Sequence, residues 1–423
     1  HLHDPSPSPS PSPSPSPSPS PSPSPSPSPI EGSLRITRVT PTPIEAGKII
    51  RILGDGFQQG SANPYTRNIL VSNSGSQDLN DYQVLIRINT QALIAEGKMQ
   101  TNGRDMRFTV NGTNIPYWIQ SGINTPVTRI WLRVPNIPAQ GTAAITMGYG
   151  NPVLGAQSNP NNVFLLYNTF GNGQLPGWIM DFSSQSPGVT VEKTGGAILI
   201  KGTASQNAMF NSFGFYLNQG APEISNLPPD IAIDSEVDIN RGTSRGKLSA
   251  GGFDGTIAAY DTPVGTPPQK RLGFWNGGAW ENIGSSRLGT TNVVNKIFTF
   301  SLSRQGSSAN VAWQEDYNPE VLTQRSGLNN PFWGYFNYSP WTTQPFQVKF
   351  KWIGIRRSNR EGIEPTVAGT AETTNSQIQV FFDGTPATRV WVDNARQIRA
   401  TAPLAATTIR VVNPNGESTT FSL

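Results

Sequence analysis

The chain of 423 residues is long enough for two or three domains and contains 42 glycines and 38 prolines. Only 14% of the residues are charged and the formal net charge is +4. The sequence has no basic stripe interleaved with aromatic residues of the kind expected in a nucleic-acid-binding protein. Without cysteine the chain forms no disulfide and no thiolate metal site, and no apolar run reaches the roughly 20 residues of a membrane-spanning helix.

The first element is an unbroken Pro-Ser alternation from Pro5 to Pro29. Prolines lack a backbone N–H and keep the preceding residue out of the α region, so this segment favours a polyproline II helix about 78 Å long. Its serines point outward on all sides of that helix. Two interpretations stay open, a stiff linker or disordered tail and a scaffold for O-linked sugars. The candidate O-glycosylation sites are Ser6, Ser8, Ser10, Ser12, Ser14, Ser16, Ser18, Ser20, Ser22, Ser24, Ser26 and Ser28.

The two histidines, His1 and His3, precede every segment that we expect to fold. They therefore leave no imidazole for a catalytic triad or a catalytic metal centre, and we predict neither a cofactor nor catalytic residues. A terminal amine with these rings can bind copper weakly, although the position of a cleavage site is the simpler explanation. Because the sequence begins with His1, we expect a processed, secreted product.

Two regions at opposite ends of the chain together resemble an IPT/TIG domain, which is an immunoglobulin-like sandwich. The first comprises Ile36–Pro43, Gly47 and the turn Gly54–Phe57. The second comprises the segments Gln377–Ala387, Gln397–Pro403, Thr408–Gly416 and Thr420–Leu423. The resemblance implies one domain split between residues 31–60 and 363–423, which follow a Pro-Ser arm at 1–30, with all that lies between inserted at a loop. The alternative is two unrelated β segments.

The insert is predicted to be two β-sandwiches in series, at 61–155 and 156–362, so the fold class is all-β. In the first, Asn111-Gly112 favours a type I′ hairpin turn. The motif order Pro116-Tyr-Trp-Ile, Trp131-Leu-Arg-Val-Pro and Tyr149-Gly-Asn-Pro resembles a bacterial domain of unknown function. That resemblance implies a secreted or surface protein with a concanavalin-like domain next in the chain. Lys349–Arg357 is similar to the closing strand of such concanavalin-like sandwiches, also called jelly rolls.

The segment Glu236-Val-Asp-Ile resembles the start of the Glu-x-Asp-x-x-Glu strand of a retaining glycanase family. Glu236 and Asp238 share one face of a strand, but Arg241 stands where that family has its acid/base carboxylate. Retaining hydrolysis needs two carboxyl groups about 5 Å apart, so we predict no enzyme and interpret the pair as a solvated strand face. The cluster of Arg356, Arg357 and Arg360 is likewise interpreted as a solvated strand end.

Aromatic residues concentrate between Phe332 and Trp341 and around Trp275. Their rings suit a hydrophobic core, a subunit interface or sugar stacking, and all three interpretations stay open. The interface or sugar-stacking candidates are Trp275, Trp280, Trp333, Tyr335, Tyr338 and Trp341. Asn111 and Asn337 begin Asn-x-Ser/Thr sequons and are candidate N-glycosylation sites.

We expect a non-enzymatic structural subunit, extracellular or at the cell surface, that forms a fibre, a pilus-like filament or a surface layer. Its expected partners are copies of itself, arranged head to tail, and covalent glycans, with no nucleic acid and no membrane span. The strands in Leu34–Phe57 could complete the sandwich of a neighbouring copy by strand addition. The alternative is a monomeric, secreted carbohydrate-binding (lectin-like) protein with a glycosylated stalk.

Overall fold

The computed structural model describes residues 33–58, 63–171, 176–181, 189–202, 213–218, 220–240, 246–252, 255–259, 271–275, 280–285, 293–305, 308–328, 335–340, 346–359, 364–375 and 377–423. The all-β class predicted from the sequence is confirmed, because the described strands form six antiparallel sheets. The helices among these residues are short: α1 (Thr90–Ala95), α2 (Pro160–Val163) and α3 (Pro222–Ser225). No helix among them is long and apolar enough to cross a membrane. The Pro-Ser segment and both histidines lie outside the described residues.

The chain divides into two compact units, a terminal unit built from residues 33–58 and 378–423 and an inserted unit built from residues 63–377. The terminal unit has two four-stranded sheets. One has the order β1-β2-β30-β29, with β1 (Arg35–Thr40), β2 (Ile49–Asp55), β30 (Gln397–Thr401) and β29 (Arg389–Asn394). The other has the order β28-β27-β31-β32, with β28 (Thr385–Pro386), β27 (Gln379–Phe382), β31 (Thr408–Val412) and β32 (Ser418–Ser422).

The core of the terminal unit joins strands from both ends of the chain. Ile50 and Ile52 on β2 are fully buried in one cluster with Ile398 on β30. Asn413 fixes the turn after β2, since its side-chain amide donates to the Gly56 carbonyl at 2.8 Å and its Oδ1 accepts from the Gln58 N–H at 3.1 Å. Buried residues thus alternate along β2, which lies between β1 and the C-terminal strand β30.

β2 pairs with β30 of its own chain, with Ile49 opposite Thr401, so these strands complete their own sandwich in this structure, and strand addition to a neighbouring copy stays a prediction. The terminal unit resumes later than the predicted boundary at residue 363. Two short strands, β25 (Thr366–Gly369) and β26 (Thr373–Thr374), pair with a strand of the inserted unit, and the terminal unit resumes only at Ile378.

The inserted unit contains four sheets. Sheet I has the order β25-β3-β9-β5-β6, with β26 also on β3, and its further strands are β3 (Tyr65–Asn73), β9 (Gly141–Tyr149), β5 (Arg107–Val110) and β6 (Thr113–Asn114). Sheet II has the order β4-β8-β7, with β4 (Leu79–Ile88), β8 (Thr128–Ile137) and β7 (Tyr117–Ser121).

The two larger sheets follow in the chain. Sheet III has the order β12-β13-β24-β15-β20-β21-β22, with β10 also on β24; the strands are β10 (Leu166–Thr169), β12 (Val189–Thr194), β13 (Ala197–Gly202), β15 (Asp230–Asn240), β20 (Val293–Gln305), β21 (Ser308–Glu315), β22 (Asn318–Leu328) and β24 (Phe346–Arg357). Sheet IV has the order β11-β14-β23-β16-β17-β18-β19; the strands are β11 (Trp178–Asp181), β14 (Phe213–Leu217), β16 (Gly246–Gly252), β17 (Gly255–Ala259), β18 (Arg271–Trp275), β19 (Trp280–Ser285) and β23 (Tyr335–Pro340).

Sheet II is buried on both faces, which is the feature that positions the candidate site. Alternate residues of a strand point to opposite faces. On β8, Ile130 and Leu132 belong to the core shared with sheet I, whereas Trp131 belongs to a second cluster with residues of sheet III. Phe215 on sheet IV meets Phe350 on sheet III with ring centroids 5.3 Å apart. The inserted unit is therefore a stack of sheets in the order I, II, III, IV.

Candidate functional site

The candidate site is the row of carboxylates on β15, where Asp234, Glu236 and Asp238 occupy alternate positions. Such positions share one face of a strand, and for β15 this is the face of sheet III that is turned towards sheet II. Asp234 is fully buried, while the side chains of Glu236 and Asp238 are 18% and 26% exposed. Asp234 was not singled out from the sequence, although its place two residues before Glu236 was a signal for it.

Glu236 and Asp238 are held by a lysine that stands between them. Lys351 Nζ lies 3.1 Å from Glu236 Oε1 and 2.9 Å from Asp238 Oδ1. Glu236 Oε2 also accepts a hydrogen bond of 2.9 Å from the indole N–H of Trp352. Burial acts to lower the pKa of Lys351, but the bonds to Asp238 and Glu236 outweigh it and raise that pKa, so the lysine carries its charge.

The position of Lys351 follows from an irregularity in the sheet. Glu236 is opposite Trp352 and Val237 is opposite Phe350, which leaves Lys351 as an extra residue on β24. An extra residue of this kind is a β-bulge, and bulges redirect side chains. On the other side of β15 the register shifts again, and Asn295 adopts a left-handed φ of 53°. Its N–H donates to Asp238 Oδ1 at 2.6 Å, and its side-chain Oδ1 contacts Lys351 Nζ.

This arrangement does not suit glycoside hydrolysis. A general acid must carry a proton towards the leaving oxygen, whereas Glu236 accepts hydrogen bonds from an ammonium and an indole. Asp238 is likewise occupied by Lys351 and by the backbone of Asn295. Interpreting this pair as a solvated strand face is wrong, because both side chains are mostly buried in a bonded network. Arg241 lies outside the described residues.

The other end of the row is a buried ion pair. Arg356 Nε donates to Asp234 Oδ2 at 2.9 Å, and Thr299 Oγ1 donates to Asp234 Oδ1 at 2.6 Å. The guanidinium also lies over the ring of Trp131 on sheet II, 5.1 Å from its centroid, and 3.7 Å from Glu364 Oε1. Burial acts to lower the pKa of Arg356, but the charges of Asp234 and Glu364 raise it, so the side chain stays ionised.

The interpretation of Arg356 as part of a solvated strand end is therefore wrong, because its side chain is only 4% exposed. Its neighbour Arg357 is anchored through the backbone, where its N–H donates to Gln83 Oε1 of sheet II at 2.8 Å. Gln83 is itself buried and donates to the Val163 carbonyl at 3.0 Å. Arg360 lies outside the described residues. Arg356 and Arg357 therefore connect sheet III to sheet II.

Aromatic rings fill the space between sheets II and III around these pairs. Trp118 meets Trp352 at 5.5 Å and Tyr167 at 5.2 Å between ring centroids, both edge to face. Trp131 meets Tyr317 in the same way at 5.2 Å. We call this set, with Val163, Phe164 and Ile297, the aromatic interface. Burial, and next the charge of Glu236, raise the pKa of Tyr167, so its phenol stays neutral.

The selected aromatic and sequon residues that the structure describes are on other strands and turns. Trp275 and Trp280 are directly opposite each other on β18 and β19, and Tyr335, Asn337 and Tyr338 are on β23, where the structure describes the backbone. Trp333, Trp341 and the serines Ser6 to Ser28 lie outside the described residues. Asn111 is exposed with a φ of 49°, and Gly112 follows with 78°, as a two-residue type I′ turn requires.

Asn111 also lines a shallow depression on the sandwich formed by sheets I and II. It has a volume of about 510 Å³ and is bordered by Asp81 and Arg133, which form an ion pair. The hydrogen bonds from Arg133 and its charge lower the pKa of Asp81 against the opposing effect of burial. In the described part of the chain, no three His, Cys, Asp or Glu side chains are grouped so that they could hold a metal ion.

Comparisons with known proteins agree with one of the sequence-based resemblances. Residues 102–180 match a family described as a domain of unknown function, DUF2341, which confirms the resemblance to such a domain. The match includes both tryptophans that sheet II contributes to the aromatic interface. Because it continues past residue 155, the predicted boundary, it also includes Phe164 and Tyr167. No match was found among curated proteins.

Solved structures show only distant likeness. One, from work on endo-acting O-glycanases expressed by members of the human gut microbiota, is 12% identical with a TM-score of 0.33 and covers 46% of this chain and 100% of its own. A glycosyl hydrolase family protein from Mycobacterium fortuitum is 11% identical, with a TM-score of 0.30, and covers 45% and 99%. The CBM2 module of an evolved Dit protein from Lactobacillus casei BL23 phage J-1 is 8% identical, with a TM-score of 0.29, and covers 46% and 96%. At these values the likeness does not extend to function.

Proposed function

We propose that this protein is a non-catalytic, extracellular structural subunit that assembles into a fibre or surface layer, with its Pro-Ser segment as a rigid, O-glycosylated strut. In the same proposal the terminal unit is an IPT/TIG-type immunoglobulin-like domain, and sheets III and IV form a concanavalin-like sandwich. Sheets I and II, with the start of sheet III, supply the domain of unknown function.

The proposal rests on one observation, namely that the face of sheet III with the β15 carboxylates is covered by sheet II. A glycanase must leave its carboxylates open to a sugar chain. Here that face is covered by Trp118 and Trp131 of sheet II, and Lys351 occupies the two carboxylates. The same residues that would line a sugar cleft instead join two sandwiches, which supports a mechanical role over a catalytic one.

The composition supports an extracellular assembly. The low charge of 14% and the wealth of uncharged polar residues suit a surface covered by sugars or by neighbouring subunits. A polyproline II segment is already extended, so little conformational entropy is lost when a neighbour binds it. Because β1 and β2 belong to the sheet of their own chain, the contact between copies is assigned to the Pro-Ser segment and not to these strands.

Electron microscopy tests this function directly. Negatively stained full-length protein from its native source should show filaments or sheets, and a variant that lacks residues 1–32 should show single particles. Intact mass should exceed the sequence mass by whole sugar residues, and peptide mapping should place them in the segment Ser6–Ser28. Single particles from the full-length, glycosylated protein would refute the structural role.

A second candidate function is carbohydrate binding by a monomeric, secreted protein. It is favoured by the β18–β19 register, in which Trp275 is directly opposite Trp280, because directly opposite residues share a face of a sheet. Affinity electrophoresis in gels that contain xylan, hydroxyethyl cellulose or mucin distinguishes the two functions. Retardation that is lost in the Trp275→Ala/Trp280→Ala variant, from a protein that forms no filaments, would establish the second.

A further inference from the structure

A lysine, an asparagine and two carboxylates converge on one face of sheet III. Lys351 is the extra residue of the bulge on β24, and Asn295 lies on β20. These strands flank β15 on opposite sides, so the two side chains meet above it. Lys351 Nζ contacts Asn295 Oδ1, and the amide carbon of Asn295 is one bond beyond that oxygen.

We propose that Lys351 and Asn295 form an intramolecular isopeptide bond. The lysine nitrogen attacks the side-chain amide carbon of Asn295, a new C–N bond forms, and the original C–N bond to the amide nitrogen breaks. The ammonium form of lysine and the neutral amide thus give a secondary amide and one ammonium ion, so atoms and charge balance. No oxidant, reductant or metal takes part in this step.

The carboxylates account for the proton transfers. An amine is a nucleophile only after it loses its proton, and Asp238 and Glu236 are both within 3.1 Å of Lys351 Nζ to accept it. The protonated carboxyl can then return that proton to the leaving amide nitrogen. The backbone N–H of Asn295 donates to Asp238 Oδ1 at 2.6 Å, which holds the asparagine beside this acid.

Proximity and partial burial favour the reaction. Fixing two groups in contact replaces a bimolecular encounter and gives well-aligned groups an effective molarity of about 10⁵ to 10⁸ M. Lys351 is 23% exposed, and its neighbour Trp352 belongs to the aromatic interface, so one side of the group is shielded from water. Burial acts against the charge of Lys351 but does not outweigh its two carboxylate partners, so the ammonium must first give a proton to one of them before the nitrogen can attack.

The consequence is mechanical. The bond would connect β20 to β24 across β15, and so fasten the three adjacent central strands of sheet III in a chain that has no cysteine. This inference does not rest on the proposed function, since a monomeric secreted protein would carry the same bond.

Trypsin digestion with mass spectrometry tests the bond. Trypsin requires a free lysine side chain, so a linked chain is not cleaved after Lys351 and yields one branched peptide that joins residues 288–296 to residues 350–356. That peptide should be lighter than its two parts by one ammonia molecule. Recovery of the linear peptides 288–296, 350–351 and 352–356 from folded wild-type protein would overturn the proposal.

Variants separate the bond from the surrounding hydrogen-bond network. Lys351→Arg retains the charge, and Asn295→Ala alters an exposed side chain, so each should fold yet lose the branched peptide; circular dichroism confirms folding. Lys296→Arg is the matched control, because Lys296 is adjacent to Asn295 but pairs with Asp316 at 2.8 Å, and it should retain the branched peptide. A branched peptide that persists in Lys351→Arg would also overturn the assignment.

Discussion

At the scale of single residues, the inserted unit depends on charges that are buried in pairs. The Asp234–Arg356 pair is almost fully enclosed, and the Arg356 guanidinium also covers Trp131. Removing one member of such a pair leaves an uncompensated buried charge, whereas removing both and filling the space can be neutral. The presence of such a pair is therefore weak evidence for net stability, while the loss of one member is strongly destabilising.

The first prediction concerns this pair. Arg356→Met should destabilise the inserted unit by about 3 to 5 kcal/mol, because Asp234 then stays buried without a counter-charge. Hydrogen exchange of peptides from β15 and β24 measures the loss. Glu192→Gln breaks the exposed Lys201–Glu192 pair of sheet III and should cost less than about 1 kcal/mol. If the double variant Asp234→Leu/Arg356→Met is no more stable than Arg356→Met, the pair is not the cause.

The second prediction concerns Glu372, which fastens the segment before the terminal unit to sheet I. Its Oε1 accepts from Lys98 Nζ at 2.6 Å and its Oε2 accepts from the Tyr149 hydroxyl at 2.5 Å. Burial acts to raise the pKa of Glu372, but the bonds from Lys98 and Tyr149 lower it below the ordinary value of 4.5. A carboxyl group whose pKa is lowered in the folded state stabilises the fold at pH values above its unfolded pKa. That stabilisation is lost as the pH falls through the folded pKa.

We therefore expect the pairing of β25 and β26 with β3 to weaken in acid. Hydrogen exchange of residues 366–374, corrected for the intrinsic rate, should accelerate between about pH 5 and about pH 3. Burial raises the pKa of Tyr149 to about 12, so its hydroxyl stays a donor throughout this range. Glu372→Gln should show weaker protection at neutral pH and a flat pH profile. An acid response that survives in this variant would assign it to another group.

At the scale of elements, the sequence was most informative where local chemistry decides the structure. The β-branched run from Lys48 to Leu53 before the Gly54 turn predicts a strand, and β2 spans Ile49–Asp55. Asn111-Gly112 predicts a turn, and both residues adopt a positive φ. Long-range features were not readable in this way. Arg356 is buried because Asp234, 122 positions earlier, and Trp131 of another sheet enclose it, and its neighbours in sequence suggest only an exposed basic cluster.

The same limit explains the candidate site. The sequence identified Glu236 and Asp238 as residues on one face, and they do share it. It gave no sign that a bulge would place Lys351 between them, since a bulge depends on the register of β24 against β15. In the sequence, Trp118 and Trp131 are noticeable only as parts of the motifs that resemble a domain family. The structure shows that they pack between two sheets and join two sandwiches.

The third prediction concerns the antiparallel pairing of β1 with β2. A Cβ on Gly54 would lie 2.0 Å from the Arg35 carbonyl oxygen and 2.8 Å from the Phe57 ring, so Gly54→Ala must disturb this pairing. We expect a loss of about 1 to 3 kcal/mol in the terminal unit, as for other overpacked sites. Gly47→Ala is the control, since nothing lies within 4 Å of its Cβ and only the cost of φ at 77° applies. Equal losses in the two variants would contradict a steric cause.

At the scale of the whole molecule, the two units have separate hydrophobic cores although one interrupts the other in sequence. The terminal core needs both chain ends, because Ile50 and Ile52 pack with Ile398 and Val411. The core between sheets I and II uses residues from Ile69 to Tyr149 only. Loss of one chain end should therefore affect the two units very differently.

The last prediction follows from that separation. In a chain truncated after Gln377, β2 loses its partner β30 and the buried face of Ile50 and Ile52 is exposed. We expect hydrogen exchange in residues 33–58 to rise to that of an unfolded segment, whereas residues 65–149 keep their protection. Protection of 33–58 that persists at high concentration and vanishes on dilution would show that these strands can bind another copy, which would restore strand addition as a mode of assembly. Loss of protection throughout 65–149 would instead show that the inserted unit depends on the terminal unit for its stability.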